Sequence, residues 1–180
     1  MFHRAAICTL ERVPGRRGNP TLGNPGQEIA RATVAVLSGG RSSEREISLE
    51  TGAAIAAALV ERAGPADDRG PALCVPIEIE SSGAWRLDGE RCAPGTAVAM
   101  LPEETIYFIG LHGGEGENGA VQGFLEIGSR RFTGSGVGAS ALCMDKHAAR
   151  LVGAEAGLLV SPAQLVDAAA WAERKLEILR

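Results

Sequence analysis

The apolar positions of this chain fall into short runs, and the strongest of them end on glycine. Thr33-Val34-Ala35-Val36-Leu37 is apolar and β-branched, and Gly39 and Gly40 close it. A run of that kind suits a strand buried on both faces of a parallel sheet. Behind it the period changes. Ile47, Ile55, Ala58 and Leu59 recur at helical spacing through about Arg62. Ser43 and Glu46 match the S-x-x-E capping box, which places Ser43 at the N-cap and Glu46 at the third helical position. Residues 72–80 read as a second strand, and Pro76 argues for an edge position or a bulge. Ser82-Gly83 and Asp88-Gly89 frame a small excursion carrying Trp85. Residues 105–111 are the strongest strand, with a glycine-rich loop directly after them, and Val121, Phe124 and Leu125 mark a short helix. Strands alternating with helices predict a doubly wound α/β sheet with right-handed crossovers.

After Thr133-Gly134-Ser135-Gly136 the pattern turns helical again. It predicts a helix from Met144 to about Glu155, stopped by a left-handed Gly157, and another from Ala168 to Arg180 with no cap at its end. Residues 1–32 show no periodicity and are rich in turn formers such as Pro14-Gly15 and Gly23-Asn24-Pro25-Gly26. They are expected to be an irregular, disordered leader without a function of its own.

Composition narrows the class. At 45% hydrophobic the chain can build a packed core, but with 4% aromatic residues Ala, Val, Leu and Ile must fill it. A net charge of −4 with no recurring basic patch argues against a nucleic-acid partner. No apolar run approaches the roughly 20 residues that span a bilayer, so no membrane partner is expected. Cys8, Cys74, Cys92 and Cys143 are widely spaced. They indicate neither a zinc site nor a disulfide framework, and fit reduced thiols in the cytoplasm. Many of the 24 glycines cluster just after apolar runs, which points to backbone shaped around a ligand.

Open parallel sheets bind ligands at the carboxyl ends of their strands. Two loops leave such ends here: residues 38–46, with Gly39, Gly40, Arg41, Ser42 and Glu44, and residues 112–119, with His112, Gly113, Gly114, Glu115 and Glu117. Each combines exposed backbone with a few ionisable groups, as a site for a small zwitterion requires. Glu44 lies in the first turn of the predicted helix, where the dipole favours a carboxylate. There it either accepts a hydrogen bond from a substrate ammonium or merely helps start the helix. His112 is either a site residue or a structural histidine bonded to backbone. Neither loop matches G-x-G-x-x-G or the P-loop, so dinucleotide binding has weak support. His112, Glu115 and Glu117 are metal-ligating residue types, but neighbouring loop carboxylates are usually solvated, and no metal is assigned to them.

Three segments together carry a resemblance. They are residues 34–49, centred on Gly39-Gly40-Arg41-Ser42-Ser43-Glu44-Arg45-Glu46; residues 109–123, centred on His112-Gly113-Gly114-Glu115-Gly116-Glu117-Asn118-Gly119; and residues 132–146, from Phe132-Thr133-Gly134-Ser135-Gly136 to Met144-Asp145-Lys146. In this order, over about residues 33 to 160, the chain resembles the D-alanine–D-alanine ligase family of the ATP-grasp superfamily. The resemblance implies a three-layer, mostly parallel, Rossmann-like pre-ATP-grasp domain over residues 33–143, which binds substrate. Residues 144–180 would open the ATP-grasp central domain.

The family joins two D-alanines for peptidoglycan synthesis. The γ-phosphate of ATP activates one carboxylate as an acylphosphate, and the second amine attacks it. By resemblance Glu44 is a catalytic and substrate-binding residue that holds the ammonium of the first D-alanine, and His112 helps bind the same molecule. Lys146 would meet the ATP phosphates, its charge offsetting charge that develops during transfer. ATP and magnesium are the implied cofactors, D-alanine the implied substrate, and a homodimer the implied assembly of the complete enzyme.

Asn118 stands where the family commonly has Asp, and Phe132 where it commonly has Tyr. Gly128-Ser129-Arg130-Arg131 replaces a more apolar approach to its strand. The family's serine-rich phosphate loop, adenine-binding strands, magnesium carboxylates and oxyanion-stabilising arginine find no match in these 180 residues. The expectation is therefore a fragment holding the first D-alanine half-site and inactive alone. The alternative is a non-catalytic small-molecule binding or interaction module derived from that domain.

Overall fold

The structure, a computed structural model, describes residues 32–62, 71 and 73–178. The expected leader, apart from Ala32, lies outside the described residues. At the centre is β1 (Thr33–Gly39), in which Val34, Ala35, Val36 and Leu37 are all buried. The sheet has six strands in the order β4-β3-β2-β1-β5-β6. β2 (Leu73–Ile79), β5 (Ile106–Ile109) and β6 (Arg131–Phe132) join β1 in a parallel block, and β3 (Trp85–Leu87) and β4 (Glu90–Cys92) extend it as an antiparallel hairpin.

Strand alternation sends successive side chains to opposite faces, and helices cover both. On one face Ala35, Leu37, Val75, Ile77, Ile79 and Tyr107 pack with Ala97 and Val98 of α2 (Pro94–Ala99) and with Val121 and Leu125 of α3 (Ala120–Ile127). Trp85 closes the end of this layer, edge-on to Phe124 at 5.7 Å between ring centroids. On the other face lies α1 (Arg45–Arg62), where Gly52 backs so closely on Ser38 that a Cβ at position 52 would collide with it. The expected three-layer α/β arrangement is the one observed.

Local expectations fare unevenly. Pro76 lies in an unbulged strand with neighbours on both sides, but β3 pairs only with Ile77–Ile79. β2 is thus a sheet edge as far as Pro76 and an interior strand after it, so proline interrupts no ladder on the β3 side. The capping box does not form. Helix α1 starts at Arg45, and the serine that meets its leading residue is Ser42, whose Oγ accepts from the Glu44 amide at 3.1 Å. The helix expected over residues 144–155 is α5 (Lys146–Glu155), and a helix the pattern did not predict, α4 (Val137–Met144), precedes it. Asp145 breaks them with extended backbone and caps α5, accepting from the amides of His147 and Ala148. Gly157 takes the left-handed conformation expected of it, at φ 80°. The last helix, α6 (Ala168–Ile178), leaves helical geometry at Arg174. Neither α5 nor α6 buries a residue. Among the described residues no helix is long and apolar enough to cross a membrane.

Candidate functional site: two glycine loops and a carboxylate–histidine cluster

β1 and β5 are neighbours, so their following loops lie side by side. The first loop turns on Gly39 and Gly40, at φ 90° and 98°. That left-handed pair is accessible to glycine at no steric cost. It lets the Gly40 amide reach the Ile79 carbonyl at the end of β2, at 2.8 Å. Arg45 then reaches back from the first turn of α1. Its Nη1 donates to the carbonyls of Gly40 and Ile79, and its Nη2 meets Glu78 at 2.6 Å.

One turn on, the fully buried Ser48 bridges the two strands. Its Oγ accepts from the Gly39 amide and donates to the Gly110 carbonyl, both at 2.9 Å. Three residues later on the same helical face, Thr51 Oγ1 lies 2.9 Å from His112 Nε2. Ser42 Oγ donates to the His112 carbonyl at 2.6 Å. His112 is therefore held at both ring and backbone by the helix and loop that follow β1. Beyond it, the 3₁₀ turn Gly114–Gly116 is pinned by Gln122 of α3, which donates to the Gly116 carbonyl at 2.8 Å.

This scaffold brings Glu44, His112 and Glu117 together. One donor atom of each lies within 4.8 Å of the others, with His112 half-buried between two exposed carboxylates. Two carboxylates beside an imidazole favour a cation, such as a primary ammonium. Magnesium takes oxygen ligands in near-ideal octahedral geometry, so a set containing imidazole does not fit it. No other such group comes together among the described residues. Lys146 is not part of the cluster; it opens α5, exposed, with Nζ donating to the Cys143 carbonyl at 3.2 Å. Glu115 turns away from Glu117 and pairs with Arg41. Both loop carboxylates remain open to solvent, Glu117 exposed and Glu115 45% exposed beside Arg41. The sequence reading named Ser42 and Glu117 in the two loops without giving either a role, and Thr51 escaped it, although Thr51 carried a signal in standing one turn beyond Ser48 and two beyond Glu44.

No protein-family profile matches the chain. A D-alanine–D-alanine ligase of Citrifermentans bemidjiense is 39% identical to it over 140 residues, covering 78% of this chain and 39% of the relative. One of Caulobacter sp. (strain K31) is 42% identical over 147 residues, covering 82% and 39%. This chain is related to the D-alanine–D-alanine ligases. Among solved structures, the D-alanine–D-alanine ligase of Aeromonas hydrophila superposes with a TM-score of 0.65 at 25% identity, covering 82% of this chain and 56% of that one. The chain spans 39% of the length of each of the two ligase relatives. The likeness to the ligases takes in the layered fold as well as the sequence.

Proposed function

We propose that residues 33–143 form the first D-alanine half-site of a D-alanine–D-alanine ligase, an ATP-dependent carboxylate–amine ligase of the ATP-grasp type serving peptidoglycan synthesis in the cytoplasm, as a homodimer. The observation that carries this is the convergence of Glu44, His112 and Glu117 at the carboxyl ends of adjacent parallel strands, in a chain related to those enzymes. Glu44 accepts a hydrogen bond from the ammonium of the first D-alanine. Glu117 adds negative charge beside it and keeps that ammonium protonated and oriented. Thr51 engages His112 Nε2, leaving Nδ1 as the ring nitrogen that faces the substrate. Ser42 and Thr51 hold His112 at its carbonyl and its ring, and Ser48 ties the ends of the two strands, so little ordering of His112 is left for the binding step.

Lys146, in the residues proposed to open the nucleotide-binding domain, turns its exposed ammonium from Cys143 to the phosphates. ATP, when bound, supplies the phosphoryl group that makes the carboxylate reactive. The Glu44–His112–Glu117 set, with its imidazole, does not suit magnesium. The 180 residues alone do not turn over ATP with D-alanine, because phosphoryl transfer depends on many positioned charges and Lys146 is a single one. The test is a chimera in which residues 33–160 replace the matching stretch of the Citrifermentans bemidjiense relative. The proposal predicts phosphate release dependent on D-alanine. A folded chimera that stays silent with D-alanine while the parent works would overturn it.

A further inference from the structure

Beside the cluster lies a cleft of about 270 Å³. Ile79, Trp85, Leu111, Val121 and Phe124 give it an apolar floor, and Arg41 and Glu115 stand at its rim. It touches Ser42, His112 and Gly113, but Glu44, Thr51 and Glu117 take no part in it. The rim pair is loosely made. Arg41 Nη1 and Glu115 Oε1 are 3.3 Å apart, and Arg41 Nη2 reaches the Ser82 carbonyl at 3.2 Å. The two side chains are 55% and 45% exposed, so opening their contact costs little. The guanidinium lies against Gly83, where a Cβ would strike it; the turn thus leaves the cation free to lie across the mouth.

One guanidinium and one carboxylate, side by side above an apolar slot, match the backbone charges and side chain of a free amino acid. We propose that this cleft binds an α-amino acid with a branched or aromatic apolar side chain. Its carboxylate pairs with Arg41, its ammonium with Glu115, and its side chain lies on Trp85 and Phe124. Seated there, it lies against His112 and Gly113, which line the cleft together with Ser42, and so adjusts the loop that carries His112. Nothing in this depends on the D-alanine reading, since the occupant is set by the rim pair and the floor.

Trp85 in the floor gives a direct readout once Trp171, the second tryptophan, is replaced by Phe. Leucine is titrated into that chain beside 4-methylpentanoate, which lacks the ammonium, and isopentylamine, which lacks the carboxylate. The expected result is saturable quenching by leucine, with each single-charge analogue roughly tenfold weaker or worse, the scale of one hydrogen bond to a charged group. D-alanine, three carbons shorter, should also be at least about tenfold weaker. Arg41→Gln and Glu115→Gln should each remove the preference for leucine over the matching analogue, with far-UV circular dichroism unchanged. Absence of saturation would overturn the proposal. So would single-charge analogues or D-alanine binding as tightly as leucine in the unaltered rim.

Discussion

The loops after β1 and β5 have nearly the same make-up, with two adjacent glycines and several ionisable residues, and they lie side by side on neighbouring strands. They differ in what their side chains do. After β1, Ser42, Arg45, Ser48 and Thr51 all reach outward to backbone or side-chain groups of β2, β5 and the second loop. After β5, His112, Gly110 and Gly116 are the groups received, and Glu117 is presented to the open. One loop and its helix form the frame; the other is framed. Glycine-rich backbone has too little side-chain volume to be fixed by packing. Its position is delegated to hydroxyl and guanidinium groups on the neighbouring helix, where an i, i+3 spacing aims several at one target.

The comparison breaks most completely if the shared floor is removed. Leu37, fully buried beneath both loops, should cost about 2–5 kcal/mol on substitution by alanine, through lost burial and a residual cavity. Urea unfolding measures it, and a loss under 1 kcal/mol would mean the layer repacks and does not set the loops. Ser48→Ala sharpens the distinction between frame and framed. It leaves the Gly39 amide and the Gly110 carbonyl without their hydroxyl partner in a buried position, at about 1–3 kcal/mol. Hydrogen exchange at the Gly39 amide should rise well above the global change.

Ser42→Ala is the next smaller step, about 0.5–1.5 kcal/mol for one half-buried hydrogen bond. Its signature should be local: faster motion of His112 and Gly113 with β1 unchanged. The smallest effect is a pH response at the β2–β3 turn. A hydrogen bond from Ser82, then the charges of Arg91 and Arg86, hold the Glu80 carboxyl below the usual range. A depressed carboxylate contributes stability above its unfolded pKa and loses it as pH falls through the folded value. Amide shifts of residues 81–84 should therefore move only at strongly acidic pH, and Glu80→Gln should abolish that step.

The strands were legible because Val34–Leu37 and Ile106–Ile109 are unbroken runs of apolar and aromatic residues, a pattern that belongs to strands covered on both faces. The frame was not. Thr51 and His112 are 61 residues apart and Ser42 and His112 are 70 apart, and such contacts have no local signature. Even the local reading chose the wrong serine: Ser43 completes a formal capping box, yet the helix begins at Arg45 because Ser42 is already committed to both Glu44 and His112. Asp145 was overlooked as a cap because the apolar run from Val137 to Met144 hides the boundary. Glu44 and His112 were legible as candidates through their placement in glycine-rich loops at strand ends, and their roles came from the resemblance of those loops to the ligases. That Glu117 joins them, and Glu115 does not, is decided by the Gly114–Gly116 turn.

The central claim is that Glu44 is a ligand-holding group and more than the start of a helix. The chimera carrying residues 33–160 allows Glu44→Gln, in the turn before α1, to be compared with Glu46→Gln, an exposed carboxylate two residues on in the first turn of α1. Kinetics are read at the first D-alanine site with ATP saturating. The account predicts that Glu44→Gln lowers kcat/KM by about 1.5–3 kcal/mol, the scale of a hydrogen bond to a charged group, while Glu46→Gln stays within about 0.5 kcal/mol. Equal, small effects at both positions would contradict it and leave Glu44 as a residue that does no more than begin α1.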